Sequence, residues 1–306
     1  MATRSRRSTA RPRRWSRTSR RSSSARGSTP PCPRTTTRSW CRSSPADVGD
    51  LTLEVVLFLV LAALVAGFVD AVVGGGGLVQ LPALLVGLPG ASVVQIAATN
   101  KLASFCGTSI SAATYVRRIR PDPRTFLPLM LAAFVGSTGG ALVASLLPRS
   151  AFDPIILVVL VLVGGYVWFK PSVGELTSLR FHGGQHLTAV LVTGLTIGFY
   201  DGAIGPGTGS FLVFALVGLL GYNFLEASAK AKLANWATNL AALVVFVPQG
   251  AVIWQLALPM AAANIVGGYL GARLAMARGA RFVRAFFLVV VSGFVVRLGG
   301  DVLGWW

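Results

Sequence analysis

Apolar stretches, broken by charged or proline-containing positions, run along the chain at about 52–73, 78–90, 97–116, 127–147 and 151–169. They recur at 186–204, 209–221, 229–247, 252–274 and 282–300. Most approach the ~20 residues that a helix needs to cross about 30 Å of hydrocarbon. The second stretch of each set is shorter and flanked by glycine, which predicts a tilted short helix or a half-helix at both places.

The two sets are copies of one another. Residues 67–115 reappear without a gap as residues 198–246, an offset of 131. Gly67-Phe68-Val69-Asp70 returns as Gly198-Phe199-Tyr200-Asp201, the run Gly74, Gly75, Gly76, Gly77 returns as Gly205-Pro206-Gly207-Thr208, and Lys101-Leu102-Ala103 returns as Lys232-Leu233-Ala234. Pro128, Gly136 and Gly140 fall on Pro259, Gly267 and Gly271 at the same offset, so the shared plan extends past the closest match. Glycine-broken apolar segments in matching halves point to a transporter whose site lies between the repeats.

Charge in the connecting loops differs between the copies in an informative way. Arg117, Arg118, Arg120 and Arg124 follow the third stretch of the first copy, while the matching loop around Pro248-Gln249-Gly250 is uncharged. After the fourth stretch the bias reverses: Arg149 stands alone in the first copy, against Arg273, Arg278, Arg281 and Arg284 in the second. Short basic loops stay cytoplasmic, so corresponding loops are expected on opposite sides of the membrane. An odd number of segments per copy requires the same. The expected fold is therefore an all-α polytopic membrane protein, an inverted repeat of two homologous helical halves with 8–10 membrane segments, two of them short and glycine-broken. Its expected divisions are a tail at 1–46, a first membrane repeat at 47–169, a cytoplasmic linker at 170–185 and a second membrane repeat at 186–306.

Composition agrees with lipid as the solvent: the 306 residues are 53% hydrophobic and 12% charged, where soluble domains carry roughly 25% charged residues. The net charge of +18 is mostly the tail, because residues 1–46 hold thirteen of the 28 Lys and Arg and none of the ten acids. This Arg- and Ser-rich tail has too little apolar surface to offset the entropy of ordering and reads as disordered. It has the composition of a transit peptide or of an arm for nucleic acid or anionic lipid, and equally of an over-extended start. Cys32, Cys41 and Cys106 make no disulfide framework. His182 and His186 have helical spacing but lack a third ligand, so no metal site and no cofactor are expected.

Asp70 and Asp201 hold equivalent positions, four residues before the glycine runs. A carboxylate in mid-bilayer costs at least ~2.5–3.5 kcal/mol, so each must face protein or a water-filled cavity. Each is a candidate proton or cation site, or a structural group that caps a half-helix or pairs with a lysine. Lys101 and Lys232 are candidates for attracting an anion, with snorkelling to the interface as the plainer alternative. The glycine runs, chiefly Gly74–Gly77 with Gly205 and Gly207, can expose backbone N–H groups to an oxyanion, or simply let helices pack closely. Thr99, Asn100 and Asn235, together with Gln80, Ser104 and Asn239, are the polar side chains that can complete such a pocket. No nucleophile, base and orienting group occur as a set, so an enzyme is not expected.

Gly67-Phe68-Val69-Asp70-Ala71-Val72-Val73-Gly74-Gly75-Gly76-Gly77, the run Ala98-Thr99-Asn100-Lys101, and Gly198-Phe199-Tyr200-Asp201-Gly202-Ala203-Ile204-Gly205 together resemble the sulfite exporter TauE/SafE family of membrane permeases. The likeness covers about 51–304. In place of Thr-Asn-Lys the second copy reads Lys230-Ala231-Lys232, so Asn100 has no counterpart. The resemblance implies a multi-pass protein of the cell membrane, expected to be a bacterial inner membrane. It implies a permease for sulfite, a sulfonate or a related small organic anion, often moved outward. Its expected partners are that small anion and the lipid bilayer, with a proton carried by Asp70 or Asp201 as a candidate coupling ion, no nucleic acid and no assignable oligomer. An ion channel, or an intramembrane enzyme or sensory module without transport, are the alternatives from other classes.

Overall fold

The computed structural model describes residues 52–144 and 176–303, and those residues fold into eight helices with no strand among them. The tail at 1–46 and the fifth apolar stretch at 151–169 lie outside the described residues. Helix α1 (Leu53–Val73) ends where Gly74 turns left-handed at φ 85°, its N–H donating to Asp70 O at 2.7 Å. Helix α2 (Gly76–Gly87) follows at once. Its twelve residues rise roughly 18 Å, which is short of the hydrocarbon thickness.

Helix α3 (Val93–Ile119) starts with a capping box, in which the Ser92 hydroxyl accepts from Gln95 N–H while the Gln95 side chain accepts from Ser92 N–H. Asp122 caps α4 (Pro123–Val143), with proline at the position where no N–H is needed. Helices α5 (Gly183–Ala203), α6 (Thr208–Phe214) and α7 (Phe224–Phe246) follow, α6 running on into a π-helical turn at Ala215–Leu219. Helix α8 (Trp254–Leu303) joins the last two apolar stretches and is broken at Gly279, whose φ of 76° is outside helical geometry. Helix α5 begins at Gly183, three residues before the expected start of the second repeat at 186, with His182 at the N-cap position.

The duplication shows in three dimensions. Val93 and Phe224 start α3 and α7, and Pro123 and Trp254 start α4 and α8, each two being 131 positions apart. Packing exchanges partners between the halves: α1 lies against α8 and α5 against α4, while α3 packs on α8 and α7 on α4. The contacts themselves are repeat-equivalent. A Cβ on Gly136 or Gly140 of α4 would strike the carbonyls of Leu195 and Phe199 on α5; on Gly267 or Gly271 of α8 it would strike those of Leu64 and Phe68 on α1. Without a side chain at these four positions the backbones come close enough for dispersion, which carries helix association in lipid.

Burial runs opposite to that of a water-soluble protein. Leu61 is 63% exposed, Leu131 67% and Leu258 60%, whereas Asp70, Lys101, Asp201 and Lys232 are all buried. Helices α1 and α4 are long and apolar enough to cross a membrane; α3 and α7 carry lysines and asparagines through the middle of the assembly. Those polar groups point at one another.

Candidate functional site at the repeat junction

The charged groups meet across the repeats. Lys101 Nζ of α3 lies 2.6 Å from Asp201 Oδ2 at the end of α5, and Lys232 Nζ of α7 lies 2.9 Å from Asp70 Oδ2 at the end of α1. Each lysine thus serves the carboxylate of the other half, and the two pairs are copies under the repeat offset. A buried ion needs a partner because the surroundings cannot solvate it. These pairs tie α1 to α7 and α3 to α5.

The glycine breaks are adjacent. Ser210 N–H donates to Gly74 O at 3.0 Å, and the Ser210 hydroxyl donates to Val73 O at 3.1 Å, so the carbonyls freed where α1 unwinds are satisfied by the start of α6. A Cβ on Gly209 would sit 2.5 Å from Gly74 Cα, closer than any side chain tolerates. The second break is braced from its own half: the Tyr200 hydroxyl donates to Pro206 O at 2.7 Å and the Thr208 hydroxyl to Gly205 O at 2.9 Å. In the first half, Tyr115 donates to Ala71 O at 3.0 Å.

Between the breaks and the ion pairs lies a cavity of about 20 Å³, enough for one or two water-sized groups. Both halves build it. Asp70, Gly74, Gly77, Asn100, Lys101 and Ser104 line it from the first half, and Asp201, Gly205, Gly207, Asn235 and Asn239 line it from the second, with Thr208 and Gly209. Among the described residues, Asn100 Oδ1 and Asn239 Nδ2 are buried there without a hydrogen-bond partner. Uncompensated buried polar atoms cost ~1–3 kcal/mol each, which makes this cavity a candidate site for a polar guest.

Four of the expected binding residues lie elsewhere. The Thr99 hydroxyl accepts from Ile253 N–H at 3.1 Å, which satisfies a backbone donor just before α8 and turns Thr99 away from the cavity. Gly76 is pressed against Ala66 O and Asp70, and Gly75 faces Ser210 and Val290, so these two serve packing. Lys232, wholly buried, stands behind Asp70 and does not reach the cavity wall. Gln80 is also away from it, accepting from Asn264 Nδ2 at 2.8 Å between α2 and α8. Sequence reading missed Ser210, Tyr200 and Tyr115, whose roles depend on which carbonyls the glycine breaks release. His186 belongs to α5, with Nε2 3.1 Å from the Tyr222 hydroxyl and 3.4 Å from Thr125 Oγ1. No cluster of His, Cys, Asp and Glu suited to a metal occurs among the described residues.

Apolar faces turned outward and a polar centre of paired charges, where two unwound segments meet, define a helical membrane protein with a polar interior cavity. The chain belongs to the sulfite exporter TauE/SafE family, whose model matches residues 59–298. It is 35% identical over 253 residues to the probable membrane transporter protein ORF9 of Sinorhizobium sp, covering 82% of this chain and 95% of that one. It is 35% identical over 264 residues to the probable membrane transporter protein YfcA of Escherichia coli K12, covering 84% and 95%, and 33% identical over 248 residues to a probable membrane transporter protein of Haemophilus influenzae, covering 81% and 94%. The family and these relatives are named as membrane transporters, not enzymes. No solved structure gives a significant match.

Proposed function

We propose that this chain is a multi-pass permease of a bacterial inner membrane that moves a small anion, such as sulfite or a sulfonate, by alternating access of the two repeats around the junction cavity. The observation that carries the reading is the pairing of unsatisfied Asn100 Oδ1 and Asn239 Nδ2 with the Lys101 ammonium in one glycine-walled cavity. An oxyanion offers acceptors to the lysine and the Asn239 amide, and a protonated or hydroxyl-bearing one offers a donor to Asn100. The glycines leave backbone at the wall, where a side chain would fill the space. Outward release is the direction that the family description implies. Rocking of inverted repeats would expose the site to each side in turn.

The test is flux. Liposomes holding the purified protein and loaded with sulfite, or with a small sulfonate, should release it faster than empty ones and show saturation. Equal release from both, under either gradient direction, ends the proposal; single-channel currents would replace the carrier by a channel.

A further inference from the structure

The cavity and its surroundings are electrically balanced. Two lysines and two aspartates meet there as two close pairs, so the site carries no net charge before a substrate arrives. A bare monoanion entering it would leave one net negative charge buried among helices, with no Lys or Arg besides Lys101 among the described residues that line the cavity. Such a charge is costly in a low-dielectric interior. Taking up one proton with the anion restores the balance.

The geometry distinguishes the two pairs. Lys101 and Asp201 both line the cavity, and the Lys101 ammonium also lies against the break, 3.4 Å from where a Cβ on Gly205 would stand. In the other pair only Asp70 reaches the wall, and Lys232 holds it from behind with no exposure at all. An anion in the cavity can therefore compete with Asp201 for Lys101, but cannot reach Lys232. Among the described residues, the other titratable groups near the Lys101–Asp201 pair are Asp70 with Lys232 and the phenol of Tyr200, while the Tyr115 phenol stands on the Asp70 side; both hydroxyls donate to backbone carbonyls.

Resting on the permease reading above, we propose that Lys101–Asp201 is the coupling element. The anion displaces the Asp201 carboxylate from the Lys101 ammonium, and the displaced carboxylate takes up one proton on an oxygen. Lysine keeps its charge throughout. The loaded carrier then holds one extra anion and one extra proton, is neutral overall, and returns both to water on the other side. Coupling of this sign makes an inward proton gradient favour entry, so outward release requires an outward anion gradient steeper than the proton gradient. By linkage, proton and anion each raise the affinity for the other by the same factor.

The probe is methanesulfonate, which stays a monoanion across the working pH range and so lends no titration of its own. In proteoliposomes with an internal pH dye, an inward proton gradient should drive wild-type protein to accumulate the sulfonate, with one proton entering per anion. Below saturation, influx should rise by about tenfold per unit fall in external pH. Asp201→Asn should pass sulfonate down its own gradient without accumulation and with no pH signal. Wild-type flux without proton movement, or coupling that survives in Asp201→Asn, overturns the inference while leaving the permease reading intact. Should the amide variant not insert, Asp201→Glu takes its place: a shifted pH profile supports the assignment and an unchanged one overturns it. Absence of any methanesulfonate or sulfite flux in the wild type defeats the permease reading and this inference together.

Discussion

Removing either member of the Lys232–Asp70 pair should destabilise the fold far more than removing both. At 2.9 Å the attraction is about 6 kcal/mol for an effective dielectric of ~20, most of it offset by the desolvation of the two ions. What a single substitution exposes is that desolvation, now uncompensated, at about 3–5 kcal/mol. The side chains are unequally placed, Lys232 being 0% and Asp70 12% exposed. Asp70→Asn strands an ammonium with no route to water, whereas Lys232→Met strands a carboxylate at the edge of a cavity. The first should therefore cost more than the second. The double variant Asp70→Asn/Lys232→Met should recover about 2 kcal/mol or more of the summed loss, since it leaves no buried charge. Unfolding in mixed micelles, titrated with SDS and followed by tryptophan fluorescence, measures all three against the wild type. Losses that add to within ~0.5 kcal/mol, or a lysine variant worse than the aspartate variant, would refute the reasoning.

Gly209→Ala places a methyl 2.5 Å from Gly74 Cα and should sharply reduce the yield of monodisperse protein; Gly184→Ala, with nothing within 4 Å, should be neutral or stabilising by up to ~1 kcal/mol. Size-exclusion of fluorescent fusions compares them directly. Thr99→Val removes the acceptor for Ile253 N–H and should cost about 1–3 kcal/mol in the same SDS titration, while the affinity for sulfite in a binding titration stays at the wild-type value. Ser210→Ala takes a donor from Val73 O but keeps the Ser210 N–H bond to Gly74, so its expected loss is smaller than that of Gly209→Ala.

The order and kind of helices were readable from the sequence because lipid-facing positions must be apolar over a nearly fixed length. Ends were less readable: α3, α4 and α7 each begin four or five residues before their apolar stretch, at polar or proline-bearing starts such as Ser92 with Gln95, Asp122 with Pro123, and Asn223. Hydropathy does not register those caps. The repeat identified Asp70 with Asp201 and Lys101 with Lys232 as equivalents, but equivalence does not say which lysine meets which aspartate. That answer comes from α1 and α5 each packing across the repeat boundary. Thr99 and Asn100 are neighbours in sequence and about 100° apart around α3, so one faces the α8 start and the other the cavity. The contribution of Asn235 and Asn239 from the second half offsets the missing counterpart of Asn100, so the cavity is two-sided though its residues are not identical.

The most direct test of the central reading is equilibrium binding of radiolabelled sulfite to purified protein, comparing Asn100→Ala and Asn239→Ala with Thr99→Val. A hydrogen bond to a charged group is worth about 1.5–3 kcal/mol, so each cavity variant should lose roughly ten- to hundredfold in affinity while Thr99→Val, one residue away in sequence, loses none. Unaltered affinity in both asparagine variants, with wild-type stability, would place the anion elsewhere and contradict the assignment of the repeat junction as the substrate site.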